Sequence, residues 1–511
     1  MSKTPNDQLL FELIKSLTKS EKRSFKLFAK RAGGETETKY LKIFDVMDKI
    51  DSYDEGVIMK KLPGVSKTQF ANQKSHLYSQ VLASLRLSHL KVDIDIELRE
   101  QLDYIRVLYK KGLYFQSLRL LSRAKKVTGN YRKDLFQLAL LDYEKQIRSQ
   151  QVFDLQEEYA KQIDEETDLA MERFNRVQKF FSLASRMKAR FVEKGMVKSE
   201  QEMNNLKALF YRNLPEYNEE EMAFNERFYL YRAFYWFAYL TYDFENCVKY
   251  AEKWVLLFQK TGLDKKRKAG YLKGLNRLLQ SAFRVDDKEK FAEYFQILED
   301  FEEDEKPLAS NTQSLLLKYQ VLQALNRVFL FTDFDEQQPQ IESLLDATEN
   351  EKSFIDKHNL LVIYYKAGVF FFAQQEYQKS KFYFQKLIHD KDKLRTDLKG
   401  FARLLLVLID YDSGEEEYID RKVKAAYLHF QQHQSLNAFQ EIFLNFIGDT
   451  GNIFPQELKK RFISLKQKLE QLEEETFTKK LQLYFDLMSW LNAKIENKTF
   501  KEVVQEKATS L

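Results

Sequence analysis

The sequence predicts an all-α protein: an α-α superhelix of paired helices, a solenoid, preceded by a small basic helical domain. Three observations predict it. Turn-making residues are scarce, with 15 glycines and 6 prolines in 511 residues, far fewer than a sandwich or an α/β fold requires. Apolar residues recur at helical spacing through most of the chain. Small residues also return at matched points of three stretches, each time among aromatics. A solenoid grows along one axis, so a chain of this length escapes the size limit of a single core.

Residues 1–91 form the first expected domain. Asp7 to Ala32 reads as one helix, with Leu9, Leu10, Leu13, Ile14, Leu17, Phe25 and Phe28 as its apolar stripe, ended by Gly33-Gly34. Its other side carries Lys15, Lys19, Lys22, Arg23, Lys26, Lys30 and Arg31, a surface suited to phosphate or an acidic partner. Helices near 40–50 and 54–62 follow, then the turn Pro63-Gly64-Val65. Ser66 opens a longer helix, with Gln69 placed for a capping box. Helix, short turn, helix is the outline of a helix-turn-helix. In that reading Lys67, Gln69, Asn72, Gln73 and Lys74 face a nucleic-acid groove; the same outline also serves as the polar cap of a solenoid. Residues 1–91 hold 17 Lys+Arg against 10 Asp+Glu, a local +7 in a chain of net +5, so the remainder carries −2.

Residues 92–511 form the second expected domain, about ten helix pairs. The first five are 95–111 with 113–128, 131–149 with 151–170, 174–194 with 199–213, 221–242 with 244–262, and 268–285 with 288–302. The rest are 308–330 with 337–347, 353–374 with 376–391, 394–412 with 416–432, 435–447 with 455–473, and 476–494 with 497–507. Short connections make neighbours antiparallel. Pro63, Pro215, Pro307, Pro339 and Pro455 are expected between helices, because a helix interior rejects proline.

The stretch Tyr364 to Lys391 carries the clearest repeat. Tyr364, Ala367, Gly368 and Phe371 occupy the first helix, Gln374-Gln375-Glu376 the turn, and Ser380 and Phe384 the second helix. A copy at Gln101 to Lys126 has Gly112, Tyr114, Ser117, Leu121 and Ala124 in register. A third at Tyr231 to Trp254 has Phe234, Ala238, Cys247 and Ala251, with Tyr235 where the glycine should stand. This spacing resembles the tetratricopeptide (TPR) repeat, over about a fifth of the chain; the repeat's terminal proline is missing, with Asp390 and Lys391 in its place. The resemblance implies a concave groove lined by the first helix of each unit. Carried over residue by residue, it places Arg106, Tyr109 and Lys110 on that wall in one copy, Arg232, Trp236 and Tyr239 in the next, and Tyr365 and Phe372 in the last. Aromatic and arginine side chains of this kind dominate binding hot spots. Burial against a neighbouring turn of the superhelix is the competing expectation.

Catalytic motifs are absent. There is no phosphate-binding loop, no dinucleotide fingerprint and no nucleophile elbow. His429 and His433 stand four apart, the spacing of two ligands on one helix face, but Phe430 occupies the place of the glutamate found in zinc peptidases. We expect no metal there. Glu219, Glu220 and Glu221 read as a solvated loop, and the lone Cys247 as a packing residue. The single cysteine suits a reducing compartment, and no apolar run is long enough to enter a membrane. The expectation is a non-enzymatic interaction scaffold or regulator of a bacterial-type cytoplasm, without cofactor, that binds a protein or peptide in its groove. The alternative is a nucleic-acid-binding regulator that uses residues 1–91.

Overall fold

The structure, a computed structural model, describes residues 6–32, 35–62, 66–90, 93–150, 157–197, 199–301, 310–352, 354–392, 394–414, 419–432, 441–442, 444–446, 455–473 and 484–509. Among these residues every regular element is a helix and no strand occurs. The chain divides into two compact units, Met1–Phe174 and Asn175–Leu511.

The first unit begins with α1 (Asn6–Ser16), α2 (Lys19–Ala32), α3 (Glu35–Lys49), α4 (Glu55–Lys60) and α5 (Lys67–His89). Asp7 to Ala32 is therefore two helices, not the one expected from periodicity. The backbone N–H of Thr18 donates to Glu21 Oε2 at 2.8 Å, and that of Glu21 to Thr18 Oγ1 at 3.2 Å. This reciprocal capping box starts a new helix after Leu17. Leu10, Ile14, Phe25, Phe44, Phe70 and Leu77 close the core of these five helices. α6 (Ile94–Lys110), α7 (Tyr114–Tyr131) and α8 (Asp134–Arg148) enclose a smaller core around Ile105, Leu121, Leu140 and Ile147. α9 (Glu157–Lys194) is continuous where two helices were expected, because Met171-Glu172-Arg173 offers neither glycine nor proline to stop it.

The second unit continues with α10 (Glu200–Asn213), α11 (Phe224–Leu240), α12 (Phe244–Thr261), α13 (Lys268–Arg284), α14 (Lys288–Glu299), α15 (Ser310–Phe331) and α16 (Phe334–Asn350). α17 (Lys357–Ala373), α18 (Tyr377–Ile388), α19 (Thr396–Ser413), α20 (Ile419–Gln432), α21 (Pro455–Glu473), α22 (Leu487–Glu496) and α23 (Phe500–Thr509) complete it. From α11 to α20 each odd helix packs on the even helix that follows, and α13, α15, α17 and α19 also touch in succession. Pro339 lies inside α16 rather than between helices. It sits in the second turn, where the missing N–H forfeits a single helical hydrogen bond.

Three hairpins share one internal geometry. Ser117 Oγ donates to the carbonyl of Ile105 at 3.0 Å, Ser380 Oγ to that of Gly368 at 2.7 Å, and Cys247 Sγ to that of Tyr235 at 3.7 Å. Each pair is twelve residues apart. Seven residues beyond each acceptor stands a left-handed residue: Gly112 (φ 74°), Tyr242 (φ 61°) or Gln375 (φ 59°). The following N–H groups, on Leu113, Asp243 and Glu376, bond back to Leu108, Ala238 and Phe371 at 3.0, 2.9 and 2.9 Å, which closes the first helix as a Schellman turn. Asp287 to Ala282 repeats this turn at 3.0 Å between α13 and α14.

Close approach is tightest at bare backbone. A Cβ on Gly368 would stand 2.4 Å from Phe384 Cε1, and one on Gly400 would stand 2.5 Å from Phe430 Cε1. Both rings are buried, so neither has room to retreat. Gly368→Ala should therefore destabilise the fold by about 1–3 kcal/mol, even though alanine's helix preference returns ~1 kcal/mol. Gly414→Ala, at φ 72° with open space around it, should cost only about 1–2 kcal/mol of backbone strain and leave the core intact. Urea denaturation with near-ultraviolet circular dichroism distinguishes the two, since only Gly368→Ala should disturb the aromatic signal.

Candidate functional site

The facing sides of α11, α13, α15, α17 and α19, with the end of α9 and the C-terminal residues 484–508, line a partly open cavity of about 1700 Å³. The expectation from the repeat is an open concave groove, not a cavity built jointly with α9 and the C-terminal residues. The odd helices reach it because their residues at three- and four-residue spacing share one face: Arg232, Trp236 and Tyr239 on α11, Lys273, Arg277 and Arg284 on α13, and Tyr365 and Lys366 on α17.

Ten basic and six acidic side chains line it. The acids are largely spoken for. Asp356 pairs with Lys318, Asp397 with Arg395 and Asp486 with Lys507, each at 2.7 Å. Burial opposes ionisation of Asp397, but the Arg395 guanidinium and the Tyr484 hydroxyl hold its carboxyl below the usual carboxylate range. Six cations make no ion pair among the described residues: Lys188, Lys194, Arg232, Lys273, Arg277 and Lys366.

Burial, then Arg277, Arg232 and Lys273, depress the Lys188 ammonium, and burial, Arg232 and Lys318 depress Lys273. Asp356 also faces Lys188 and partly offsets that repulsion. The guanidiniums rest on rings. Arg277 lies 4.7 Å from the centre of Trp236, and Arg232 lies 5.2 Å from Phe228 and 5.6 Å from Trp254. Cation–π attraction of this kind holds a planar cation in place without neutralising it.

A polar ladder crosses the wall beside them. Lys366 Nζ donates to Asn326 Oδ1 at 2.6 Å, Asn326 Nδ2 to Gln323 Oε1 at 2.7 Å, and Gln323 Nε2 to Asn276 Oδ1 at 2.8 Å. It links α17, α15 and α13 in turn. Burial, with Arg284 and Arg395 nearby, lowers the Lys366 ammonium to about 7. In the same wall, burial and Arg395 lower the His358 imidazole to about 4, so it is neutral near pH 7.

The residues expected on one concave wall separate. Arg232, Trp236, Tyr239 and Tyr365 line the cavity together. Phe372 lies beneath the chain's own C-terminal segment, against Phe485 and Phe500 at 5.5 and 5.7 Å. That segment also caps Tyr365, whose hydroxyl donates to the Tyr484 carbonyl at 3.1 Å. Arg106, Tyr109 and Lys110 belong to the first unit. There Arg106 lies over Tyr109 and donates to Gln146 Oε1 at 3.2 Å, while Lys110 is exposed.

On α5, Lys67, Gln69 and Asn72 are exposed and Gln73 is half-buried. Gln69 accepts from the Ser66 N–H at 3.1 Å, completing the expected capping box. Lys74 is buried, its ammonium 4.4 Å from the Phe70 ring centre and 3.3 Å from Glu55 Oε2. It ties α5 to α4 and faces no solvent groove. The expected turn Pro63-Gly64-Val65 lies outside the described residues.

His433 also lies outside them, while His429 Nε2 is bonded to the Thr396 carbonyl at 3.1 Å. No group of metal-ligating side chains occurs among the described residues. Burial pushes the Cys247 thiol up, out of the range of a reactive thiolate. Glu219 is not simply a solvated loop residue, since it accepts from Tyr231 Oη at 2.6 Å and from Lys253 Nζ at 2.9 Å. No helix among the described residues is long and apolar enough to cross a membrane.

Comparison with protein-family models, curated proteins and solved structures finds no match. The cavity must be interpreted from its own chemistry.

Lys366 makes the site's charge testable. Its ammonium titrates about 7 in the folded state and near 10.4 in the unfolded chain. Between those values the unfolded state binds more protons, so this group makes stability rise with pH. The cost of holding the charge is full below pH 7 and fades toward pH 10. Relative to Lys366→Met, the wild type should gain on the order of 2 kcal/mol between pH 7 and 9. Parallel urea titrations of the two proteins across that range check it.

Proposed function

We propose that this chain is a non-enzymatic interaction protein, an α-solenoid of TPR-like hairpins, that takes an acidic segment of a partner protein into the cavity of its second unit. The observation that carries this reading is the clustering of Arg232, Trp236, Tyr239 and Tyr365 around one partly open cavity, beside cations that make no ion pair among the described residues. Rings held rigidly at a wall supply contact area at low entropic cost, and arginine supplies directed donors. The recurrent twelve-residue hairpin geometry supports the repeat, because each unit leaves apolar surface that only a stacked neighbour can bury. At about 1700 Å³ the space exceeds a typical small-ligand pocket of roughly 300–1,000 Å³, as a peptide would need. A scaffold role requires neither metal nor cofactor, and the single buried cysteine suits a reducing cytoplasm.

Nucleic-acid binding through α5 is the less supported reading. Of the five side chains it needs, Lys74 is committed to Glu55 and Gln69 to its own cap; Lys67 and Asn72 remain outward.

Affinity purification of the tagged full chain from its native cells, followed by mass spectrometry, tests the proposal. Trp236→Leu with Tyr239→Leu should reduce recovery of the specific partner at least tenfold while the melting curve stays cooperative. Unchanged recovery would remove the cavity from the binding role. Phe115→Ala, an exposed position of α7, should leave recovery unchanged.

A further inference from the structure

We infer that the end of the cavity bounded by Lys188, Arg232, Lys273 and Arg277 is a binding site for a compact polyanion of the phosphate class, such as pyrophosphate or the phosphate chain of a nucleotide. The inference uses the cavity described above but does not depend on its taking up a partner segment.

The argument begins with charge that the protein does not neutralise. The four side chains come from α9, α11 and α13 and line the same partly open cavity, Lys188 in electrostatic reach of the other three, and none makes an ion pair among the described residues. Lys188 and Lys273 are exposed, and Arg232 and Arg277 half-buried, so burial is not what sets them apart. Elsewhere in the same cavity cations meet carboxylates, with Lys318 on Asp356 and Arg395 on Asp397. These four converge without an ion pair, and their mutual repulsion is a cost. A site that stores such repulsion gains it back when an anion enters.

A further feature points to oxygen acceptors. The guanidiniums of Arg277 and Arg232 are fixed against Trp236 and Trp254, so their remaining N–H groups are oriented before any ligand arrives, as bidentate phosphate recognition requires.

The density of charge selects phosphate over carboxylate. Lys188 is within electrostatic reach of Arg277, Arg232 and Lys273 at once. A peptide spaces its carboxylates several ångströms apart along an extended backbone, whereas pyrophosphate places three or four negative charges within one small group. Trp236 and Trp254 already carry guanidiniums on their rings, so recognition here is of the anion and not of a stacked base.

Isothermal calorimetry and thermal melting of the full chain at low salt, with pyrophosphate and with ATP as probes, test this. Both ligands should bind and raise the melting temperature, and affinity should fall at least tenfold as salt rises from 50 to 500 mM. Lys188→Gln with Lys273→Gln should lower pyrophosphate affinity at least tenfold while raising the melting temperature of the unliganded protein, because it removes repulsion; a merely structural role would lower it. Binding of ATP without pyrophosphate would place recognition on the nucleoside and overturn the proposal. So would binding that survives the double substitution, or absence of binding at millimolar concentration. If an oligoglutamate peptide binds where neither phosphate probe does, the polyanion assignment fails and the partner-segment proposal stands. If pyrophosphate binds while Trp236→Leu with Tyr239→Leu leaves partner recovery unchanged, the reverse holds.

Discussion

The fold rests on one close approach: a small side chain on the second helix of a hairpin, bonded to a carbonyl of the first helix twelve residues back. Ser117, Cys247 and Ser380 each do this. A helix interior has no spare N–H to offer a neighbour, so a short side-chain hydroxyl or thiol is what can reach another helix's carbonyl without separating the backbones. Larger residues then fill the margins, Phe384 against Gly368 and Phe430 against Gly400. Interiors packed this closely tolerate little change of volume.

This approach also determines where chemistry can sit. Because even helices pack behind odd ones, the outward apolar surface of each odd helix is consumed by its partner. Its other face turns to the cavity with whatever the sequence places there. On α13 that face brings Lys273 and Arg277 next to Arg232 of α11 and Lys188 of α9. The cations are thus neighbours through packing of three helices, and the wall's rigidity keeps them so. Rings beneath the guanidiniums and the amide ladder from Asn276 to Lys366 hold the polar groups in register.

The C-terminal residues add a constraint of a different kind. Tyr484 stacks on Phe401 at 4.4 Å and donates to Asp397 at 3.1 Å, while Phe485 and Phe500 cover Phe372. α23 packs against α15, and Gln505 donates to the Thr332 carbonyl at 3.0 Å. One end of the wall is therefore closed by the chain itself. Trp236 and Tyr239 of α11 and Tyr319 and Phe329 of α15 line the cavity as well.

Helical class and the three hairpins were legible in sequence because both are local: scarce glycine and proline, a period near 3.6, and a left-handed turn such as Gly112 or Gln375 act within twenty residues. Even the break at Leu17 was written locally, in Thr18 and Glu21, and was outweighed by a longer apolar stripe. Lys366, set between Tyr365 and Ala367 in a helix apolar on every side, was a visible sign of a buried charge. Sequence alone placed Arg232, Trp236 and Tyr239 on one helix face. Only tertiary packing decided that Tyr365 joins them, that Phe372 is covered and Lys74 buried, and that Lys188, Lys273 and Arg277 converge. Residues nearly ninety positions apart meet through helix contacts whose geometry no local period encodes, and uncompensated charge is a property of that meeting.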